Sequence, residues 1–166
     1  MSAGGDHSLA IRTDNTLWAW GYNANGRLGD GTITTRSSPV KIALPFDWVR
    51  ISSGAKFVIA TKTDGTIWSW GYNEYGQLGD GTIYSKSSPV KIGSLTDWDK
   101  VIVGDKHAIA TKTDGTIWSW GYNEYGQLGD STVTNKSSPV KIGLLGGWSI
   151  DNISGYGTNS SFALNG

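Results

Sequence analysis

The chain of 166 residues has no cysteine and only two histidines, His7 and His107. Without thiols, the sequence excludes disulfides and thiolate metal sites. A histidine metal site needs several convergent ligands, and no such group is evident in the sequence. We therefore expect no metal and no cofactor. Both histidines are expected to be ordinary strand residues, because Phe57 stands fifty positions after His7.

Excess charge and long apolar runs are also missing. Fourteen basic and fourteen acidic residues cancel, so no surplus of positive charge is available to neutralise phosphates and we expect no nucleic-acid partner. No apolar run reaches the length of a membrane span, and the first residues lack the basic and apolar regions of a signal peptide. We expect a soluble chain without a membrane partner, in a compartment that the sequence leaves undetermined.

Glycine and tryptophan are abundant, and they recur at a fixed spacing. The segment "TKTDGTIWSWGYNEYGQLGD" occupies 61–80 and again 111–130, and a looser copy ends at Asp30. The segment "SSPVKI" begins at Ser37 and returns twice, fifty residues later each time. A period of this length is typical of repeat architectures such as solenoids and propellers. The near-identity of the copies indicates recent duplication or deliberate construction.

Each repeat reads as four short strands. In the second repeat the predicted strands cover 48–54, 56–62, 66–71 and 88–92. The third strand places Trp68 and Trp70 on one face and Ile67 and Ser69 on the other, because side chains alternate along a strand. The Asp-Gly pair before it predicts a hairpin, and the proline of the fourth strand suits a sheet edge.

These strands carry bulky residues on both faces, so each small sheet must be covered on both sides. Radial stacking of blades achieves this in a β-propeller. We predict an all-β fold and a single propeller fragment, with four-stranded antiparallel blades at approximately 1–47, 48–97 and 98–147 and a partial fourth unit at 148–166. A parallel β-helix is the competing fold, but its rungs are shorter and lack an Asp-Gly hairpin.

The motifs "GDHSLAI", "DNTLWAWGYNANGRLGDGT" and "SSPVKI" resemble the regulator of chromosome condensation repeat, in the form found in bacterial members. The resemblance covers nearly the whole chain and implies a β-propeller. The family includes an exchange factor for a small nuclear GTPase that also binds chromatin, and more distantly an inhibitor of β-lactamase. Regulation of a small GTPase or inhibition of an enzyme is therefore the third functional hypothesis, which rests on family analogy alone.

The predicted strands do not complete a ring. With A to D as the strands of a blade, their order is BCD, ABCD, ABCD, AB, and the first unit has only the tail of strand A. A propeller needs about four to eight blades to close, and an open arc exposes two apolar faces. We predict a two-fold homodimer with six blades, in which the strand near Ile153 completes the first blade of the partner. The residues assigned to ring closure are Ser2, Ala3, Trp148, Ile150, Ile153 and Phe162.

Catalysis is not expected, because a catalytic carboxylate pair needs two different environments and repeats make environments alike. Asp14, Asp64 and Asp114 are expected to cap hairpin turns. Asp30 and its two equivalents are expected to make a structural bond in every blade. We predict a non-catalytic scaffold or protein-interaction module that self-assembles.

The predicted interaction surface lies in the long loop, because tyrosine is favoured at protein interfaces. Its residues are Tyr72, Glu74, Tyr75, Tyr122, Glu124 and Tyr125. The alternative function is multivalent, lectin-like carbohydrate binding, since aromatic faces stack on sugars. Trp18, Trp68 and Trp118 are better explained as side chains that fill the gaps between blades.

Overall fold

The computed structural model describes residues 1–43 and 47–143 in full, and the backbone of 148–149 and 164–165. The regular secondary structure of these residues consists of β-strands. They are β1 Ser2–Ala3, β2 His7–Ile11, β3 Leu17–Gly21, β4 Arg36–Lys41, β5 Trp48–Ser53, β6 Phe57–Lys62, β7 Ile67–Gly71, β8 Lys86–Lys91, β9 Trp98–Val103, β10 His107–Lys112, β11 Ile117–Gly121, β12 Lys136–Ile142, β13 Trp148–Ser149 and β14 Leu164–Asn165. No helix within the described part of the chain has the length and apolarity to cross a membrane.

Twelve of these strands form three antiparallel sheets of four, each in chain order: β1 to β4, β5 to β8, and β9 to β12. We call them blade 1, blade 2 and blade 3. The prediction of an all-β fold with four strands per repeat is confirmed. The fourth strand of blade 2 begins at Lys86, two residues before the predicted start. The first strand of blade 1 has two residues, whereas β5 and β9 have six.

The hairpin between the second and third strands forms as predicted. In blade 2, Asp64 Oδ1 accepts hydrogen bonds from the backbone N–H of Thr66 at 3.0 Å and from its hydroxyl at 2.6 Å. Gly65 lies between them with φ of 73°, in the left-handed region that glycine enters without strain. In blade 1 the same position is Asn15 with φ of 60°, because asparagine also tolerates this conformation.

Proline lies in the outer strand of each blade, as expected for a residue that lacks an N–H. In blade 2, Ser69 pairs with Val90, and Gly71 pairs with Lys86, so the outer strand carries extra residues beside Trp70. Pro89 falls within this irregular stretch, where the ladder needs no donor from it. The outer strand is therefore a sheet edge with a local bulge.

The apolar core lies between the blades. One buried cluster joins blades 1 and 2 and includes Leu9, Leu28 and Trp70. A second cluster joins blades 2 and 3 and includes Ile67 and Trp120. Trp70 and Ile67, three residues apart on the same strand, thus contribute to opposite clusters, which confirms the predicted faces. Blade 2 is therefore stabilised by a neighbour on both sides, as expected for a repeat architecture.

The end of the chain resumes the blade pattern. Trp148 pairs with Asn165 in an antiparallel ladder, as Trp48 pairs with Lys62 and Trp98 with Lys112. The pairing of β13 with β14 thus has the register of the first two strands of blades 2 and 3, and the partial fourth unit at 148–166 stays a prediction. The predicted closure residues Ile150, Ile153 and Phe162 lie outside the described residues.

Candidate functional site

A loop of one blade packs against the next blade at both internal junctions. We call it the junction loop; it comprises residues 26–31, 76–81 and 126–131 in the three blades. At the first junction, Trp70 Nε1 donates to the carbonyl of Arg27 at 3.1 Å. The N–H of Gly31 donates to the carbonyl of Ser87 at 2.9 Å. Two polar contacts thus fix the loop of blade 1 against two strands of blade 2.

The second junction repeats the first. Trp120 Nε1 donates to the carbonyl of Gln77 at 3.0 Å. The N–H of Gly81 donates to the carbonyl of Ser137 at 2.8 Å. A Cβ on Gly79 would lie 2.6 Å from Trp120 Nε1, closer than side chains approach. Glycine at this position is therefore required by contact with the neighbouring blade as well as by its φ of 71°.

A buried asparagine organises each junction loop. Asn73 Oδ1 accepts from the N–H of Leu78 at 2.9 Å, and its Nδ2 donates to the carbonyls of Thr82 and Tyr84 at 3.0 and 3.2 Å. Asn23 and Asn123 make the equivalent bonds. Sequence reasoning missed these residues, although their fifty-residue spacing in "GYN" was a visible signal.

An aspartate within each junction loop makes the structural bond predicted for every blade. Asp30, Asp80 and Asp130 form ion pairs with Arg36, Lys86 and Lys136 at 2.8, 3.5 and 3.4 Å. Burial raises the pKa of Asp30 and Asp130, but hydrogen bonds, chiefly from Thr32 and Thr132, outweigh it and leave the pKa of both below the ordinary value. The Asp30 and Asp130 carboxylates are therefore ionised at neutral pH and committed to loop structure.

Four predicted surface tyrosines form a continuous ladder of edge-to-face rings. Tyr72 lies 6.3 Å from Tyr75, Tyr75 lies 5.0 Å from Tyr122 across the junction of blades 2 and 3, and Tyr122 lies 6.2 Å from Tyr125. The Lys106 ammonium lies 5.0 and 5.1 Å from the rings of Tyr75 and Tyr122. Such contacts stabilise an interface beyond its buried area. The ladder therefore joins blades as well as lining their rim.

Exposure along this loop is uneven. Glu74, Glu124 and Tyr125 are exposed, the last to 69%. Tyr72 and Tyr75 are half-buried. Tyr122 is buried, which differs from the expected exposure because Tyr75 of the preceding blade covers it. Its hydroxyl donates to Glu124, and this bond raises the pKa of Tyr122.

At the two ends of the arc, the described residues leave the junction halves open. Trp20 is partly exposed, whereas Trp70 and Trp120 are fully buried. At the other end, a Cβ on Gly126 would meet no atom closer than Thr132 O at 4.0 Å, and one on Gly129 would meet Ile142 Cγ2 at 3.5 Å. Within the described residues, nothing packs on this loop as Trp70 and Trp120 pack on the other two.

The closure residues at the start of the chain are used within the arc. Ala3 pairs with Ser8 in blade 1. Ser2 Oγ accepts a hydrogen bond from the N–H of Ser53 of blade 2 at 3.0 Å. The backbone of Trp148 lies in β13.

His7, Phe57 and His107 occupy equivalent buried positions at the start of the second strand. Burial and then the charge of Arg27 lower the pKa of His7 from 6.5 to about 4, and burial also lowers the pKa of His107. Both histidines are neutral at pH 7. In the described part of the chain, no three histidine, aspartate or glutamate side chains are grouped to hold a metal ion.

The tryptophan faces are already engaged by cations. Lys62 Nζ lies 5.4 Å from the Trp68 ring, and Lys112 Nζ lies 4.6 Å from that of Trp118. The indole N–H of Trp68 donates to Thr66 Oγ1 at 3.0 Å. A cleft of about 210 Å³ reaches Trp118 between blades 2 and 3. The ring faces that a sugar would stack on thus carry lysine contacts.

The repeat architecture agrees with a family comparison. The model of the regulator of chromosome condensation (RCC1) repeat matches residues 14–61, 64–111 and 114–164. This chain belongs to the RCC1 repeat family. Each match begins in the hairpin turn of one blade and extends into the following unit, so a family repeat is offset from a blade by two strands. A second model with the same description matches residues 48–77 and 99–127.

Solved structures share the fold. Prp20p from Saccharomyces cerevisiae, described with its binding to Gsp1p and histones, is 24% identical with a TM-score of 0.81, over 97% of this chain and 41% of that chain. Human WBSCR16 is 23% identical with a TM-score of 0.76, over 85% of this chain and 36% of that chain.

A relative in sequence is the Arabidopsis thaliana ultraviolet-B receptor UVR8. It is 36% identical over 56 residues, which are 32% of this chain and 13% of the receptor. The chain thus spans less than half the length of these relatives.

Proposed function

We propose that this RCC1-repeat chain is a non-catalytic interaction module whose partner is a second copy of itself, with which it closes a six-bladed ring. The contrast between Trp20 and its equivalents carries the proposal. Trp70 and Trp120 are fully buried because a junction loop packs on each of them, and Trp20 is partly exposed. Blade 3 presents a junction loop on which no described tryptophan packs.

The two open ends are complementary halves of one interface. Blade 1 presents the tryptophan half, and blade 3 presents the loop half. In a two-fold dimer around the propeller axis, each half of one copy meets the opposite half of the other. Both junctions are then identical and the arc closes, as closed symmetric oligomers require. Both open faces are covered at once.

Strand exchange completes blade 1 in this arrangement. β1 pairs with Ser8 and Leu9, and the edge of β2 beyond Leu9 pairs with no strand among the described residues. In blades 2 and 3 this edge is paired as far as Trp48 opposite Lys62 and Trp98 opposite Lys112. By the same register, Trp148 pairs opposite Arg12 of the second copy. β2 of the second copy then takes the place that β14 holds beside β13.

The aspartates support a non-catalytic role. Asp30, Asp80 and Asp130 share one set of partners, and Asp14, Asp64 and Asp114 share another. A general acid and base need carboxylates whose pKa values are pushed apart, and the lowered pKa values of Asp14, Asp64 and Asp114 all have the hydrogen bonds of a threonine as their main cause. The exposed Glu74 and Glu124 remain on the rim of the ring, where we place any contact with another protein.

Native mass spectrometry and light scattering at micromolar concentration test the proposal. We expect a species of twice the 17.8 kDa chain mass. Replacement of Trp20 by glutamate places a charge in the junction, and this variant is expected to show the single-chain mass with an unchanged circular dichroism spectrum. A wild-type chain that remains single at this concentration would overturn the proposal.

A further inference from the structure

We infer that the junction between two copies reproduces the contacts of the internal junctions. Trp20 Nε1 of the second copy donates to the carbonyl of Gln127. The N–H of Ser131 donates to the carbonyl of Ser37 of the second copy. This inference rests on the proposed self-association.

The junction loop of blade 3 already has the conformation of an occupied loop. Its turn bond from the N–H of Gly129 to the carbonyl of Gly126 is 3.0 Å, as between Gly79 and Gly76 in blade 2. The φ values of Gly126 and Gly129 are 72° and 68°, against 77° and 71° for Gly76 and Gly79. Asn123 holds the loop from behind as Asn73 does. The loop is therefore preorganised for a partner, which lowers the cost of binding.

The tryptophan half has the matching geometry. Trp20 lies opposite Ser8 in the β2–β3 ladder, as Trp70 lies opposite Val58. The ladder to the outer strand pairs Gly21 with Arg36, the equivalent of Gly71 with Lys86. Trp20 and the carbonyl of Ser37 thus have the spacing of Trp70 and the carbonyl of Ser87, which contact the loop of blade 1 at the first internal junction.

Two tyrosines extend the match to the rim. The junction of blades 2 and 3 places Tyr75 against Tyr122 at 5.0 Å. The equivalent residues at the open ends are Tyr125 and Tyr22, exposed to 69% and 47%. Gln127 accepts from the N–H of Tyr125 as Gln77 does from that of Tyr75. The intermolecular junction therefore resembles that of blades 2 and 3, with Tyr125 packed on Tyr22 of the second copy.

Three positions depart from the internal pattern. Asp6 of the second copy stands where blades 2 and 3 have Lys56 and Lys106, so the contact of Lys106 with the rings of Tyr75 and Tyr122 has no equivalent. Ser131 replaces glycine, and it holds φ of 64°. A Cβ at the equivalent Gly81 would lie 3.7 Å from Ser138 Oγ, so serine fits. Ile102 replaces Ser52, whose Oγ accepts from the N–H of Val103, so this contact is lost at the intermolecular junction. The other contacts remain available.

Engineered cysteines test the pairing directly, because the chain has no cysteine of its own. The equivalence of Gly81 and Ser138 places residue 131 against residue 38 of the second copy. With a mild oxidant, Ser38→Cys with Ser131→Cys is expected to form a disulfide-linked dimer on a non-reducing gel. The matched control is Ser88→Cys with Ser131→Cys, because Ser88 lies against Gly31 of its own chain. Equal cross-linking of both variants would overturn the pairing.

A steric variant gives an independent measurement. A Cβ on Gly76 would lie 2.5 Å from Ser137 Cα, so Gly126→Asn is expected to clash with Ser37 of the second copy and weaken dimerisation at least about tenfold. Gly93→Asn is the control, since Gly93 has φ of 59° and nothing within 4 Å of its Cβ position, and asparagine tolerates this conformation. A dimer that neither cross-links nor responds to Gly126→Asn refutes this junction and leaves self-association standing. A wild-type chain that is single refutes both.

Discussion

The internal junctions and the open ends of the arc are built from nearly the same residues, yet they differ in burial. Trp70 and Trp120 donate their indole N–H to the preceding blade and are fully buried. Trp20 stands in the same sequence context and is partly exposed. The difference shows that burial in a repeat protein belongs to the interface between units, since each unit is stabilised mainly by its neighbours.

Truncation of the repeated tryptophan is expected to cost far more stability at a closed junction than at an open end. Trp120→Ala is expected to lower the free energy of unfolding by about 3–5 kcal/mol, because it removes a large side chain from a closed interface. Trp20→Ala is expected to cost about 1 kcal/mol or less in the single chain, because its site is already open. Chemical denaturation of both variants in the Gly126→Asn background, at a protein concentration where light scattering gives the single-chain mass, measures the difference. Equal losses would contradict the comparison.

The buried histidines of blades 1 and 3 contrast with Phe57 of blade 2. The pKa of His7 falls from 6.5 to about 4 on folding. Between these pH values, His7 is protonated in the unfolded chain and neutral in the folded chain. The free energy of unfolding is therefore expected to fall by up to about 3 kcal/mol as the pH decreases from 6.5 to 4.

His7→Phe is expected to remove most of this loss, because Phe57 occupies the same position in blade 2. His7→Phe with His107→Phe should flatten the dependence further. Denaturation at several pH values between 4 and 6.5 measures it. The carboxylates of Asp14, Asp64 and Asp114 have pKa values below 3.8, so their contribution is lost at lower pH. An unchanged slope in the double variant would show that the histidines are not the cause.

Glycine substitutions separate backbone strain from contact with the neighbour. Gly79 and Gly129 have φ of 71° and 68°, so alanine is strained to a similar extent at both. Only at Gly79 would the new Cβ meet a tryptophan, at 2.6 Å. Gly79→Ala is expected to destabilise the single chain by about 1–3 kcal/mol more than Gly129→Ala. Thermal or chemical unfolding in the Gly126→Asn background measures this, and equal losses would mean that strain alone sets the cost.

The smallest effect concerns a hydroxyl that blade 1 lacks. Ser69 Oγ donates to the carbonyl of Leu78 at 2.7 Å, and Ser119 makes the equivalent bond. Blade 1 has Ala19 at this position, also fully buried. Ser69→Ala is expected to cost about 1 kcal/mol, the net value of one hydrogen bond. A loss of several times this size would indicate that the loop of blade 2 depends on the hydroxyl, unlike that of blade 1.

Much of the arc was predictable because its causes are local. The Asp-Gly turn, the alternation of Trp70 with Ile67, and the edge position of the proline each follow from a few adjacent residues. The role of Asn73 was missed because its bonds reach five to eleven residues along the loop. Tyr122 belongs to the predicted interaction surface, yet it is buried, and its burial depends on Tyr75, a residue distant in sequence on the adjacent blade.

The sequence by itself determined the period, the four strands of each blade and the family, because side-chain alternation, turn chemistry and motif spacing act over short distances. Only the tertiary structure decided which copies of a repeated residue are buried. Identical segments have identical local preferences, and burial is a property of what lies opposite. Trp20 and Trp70 differ for that reason alone: the first has no junction loop packed on it in this structure, and the second has one.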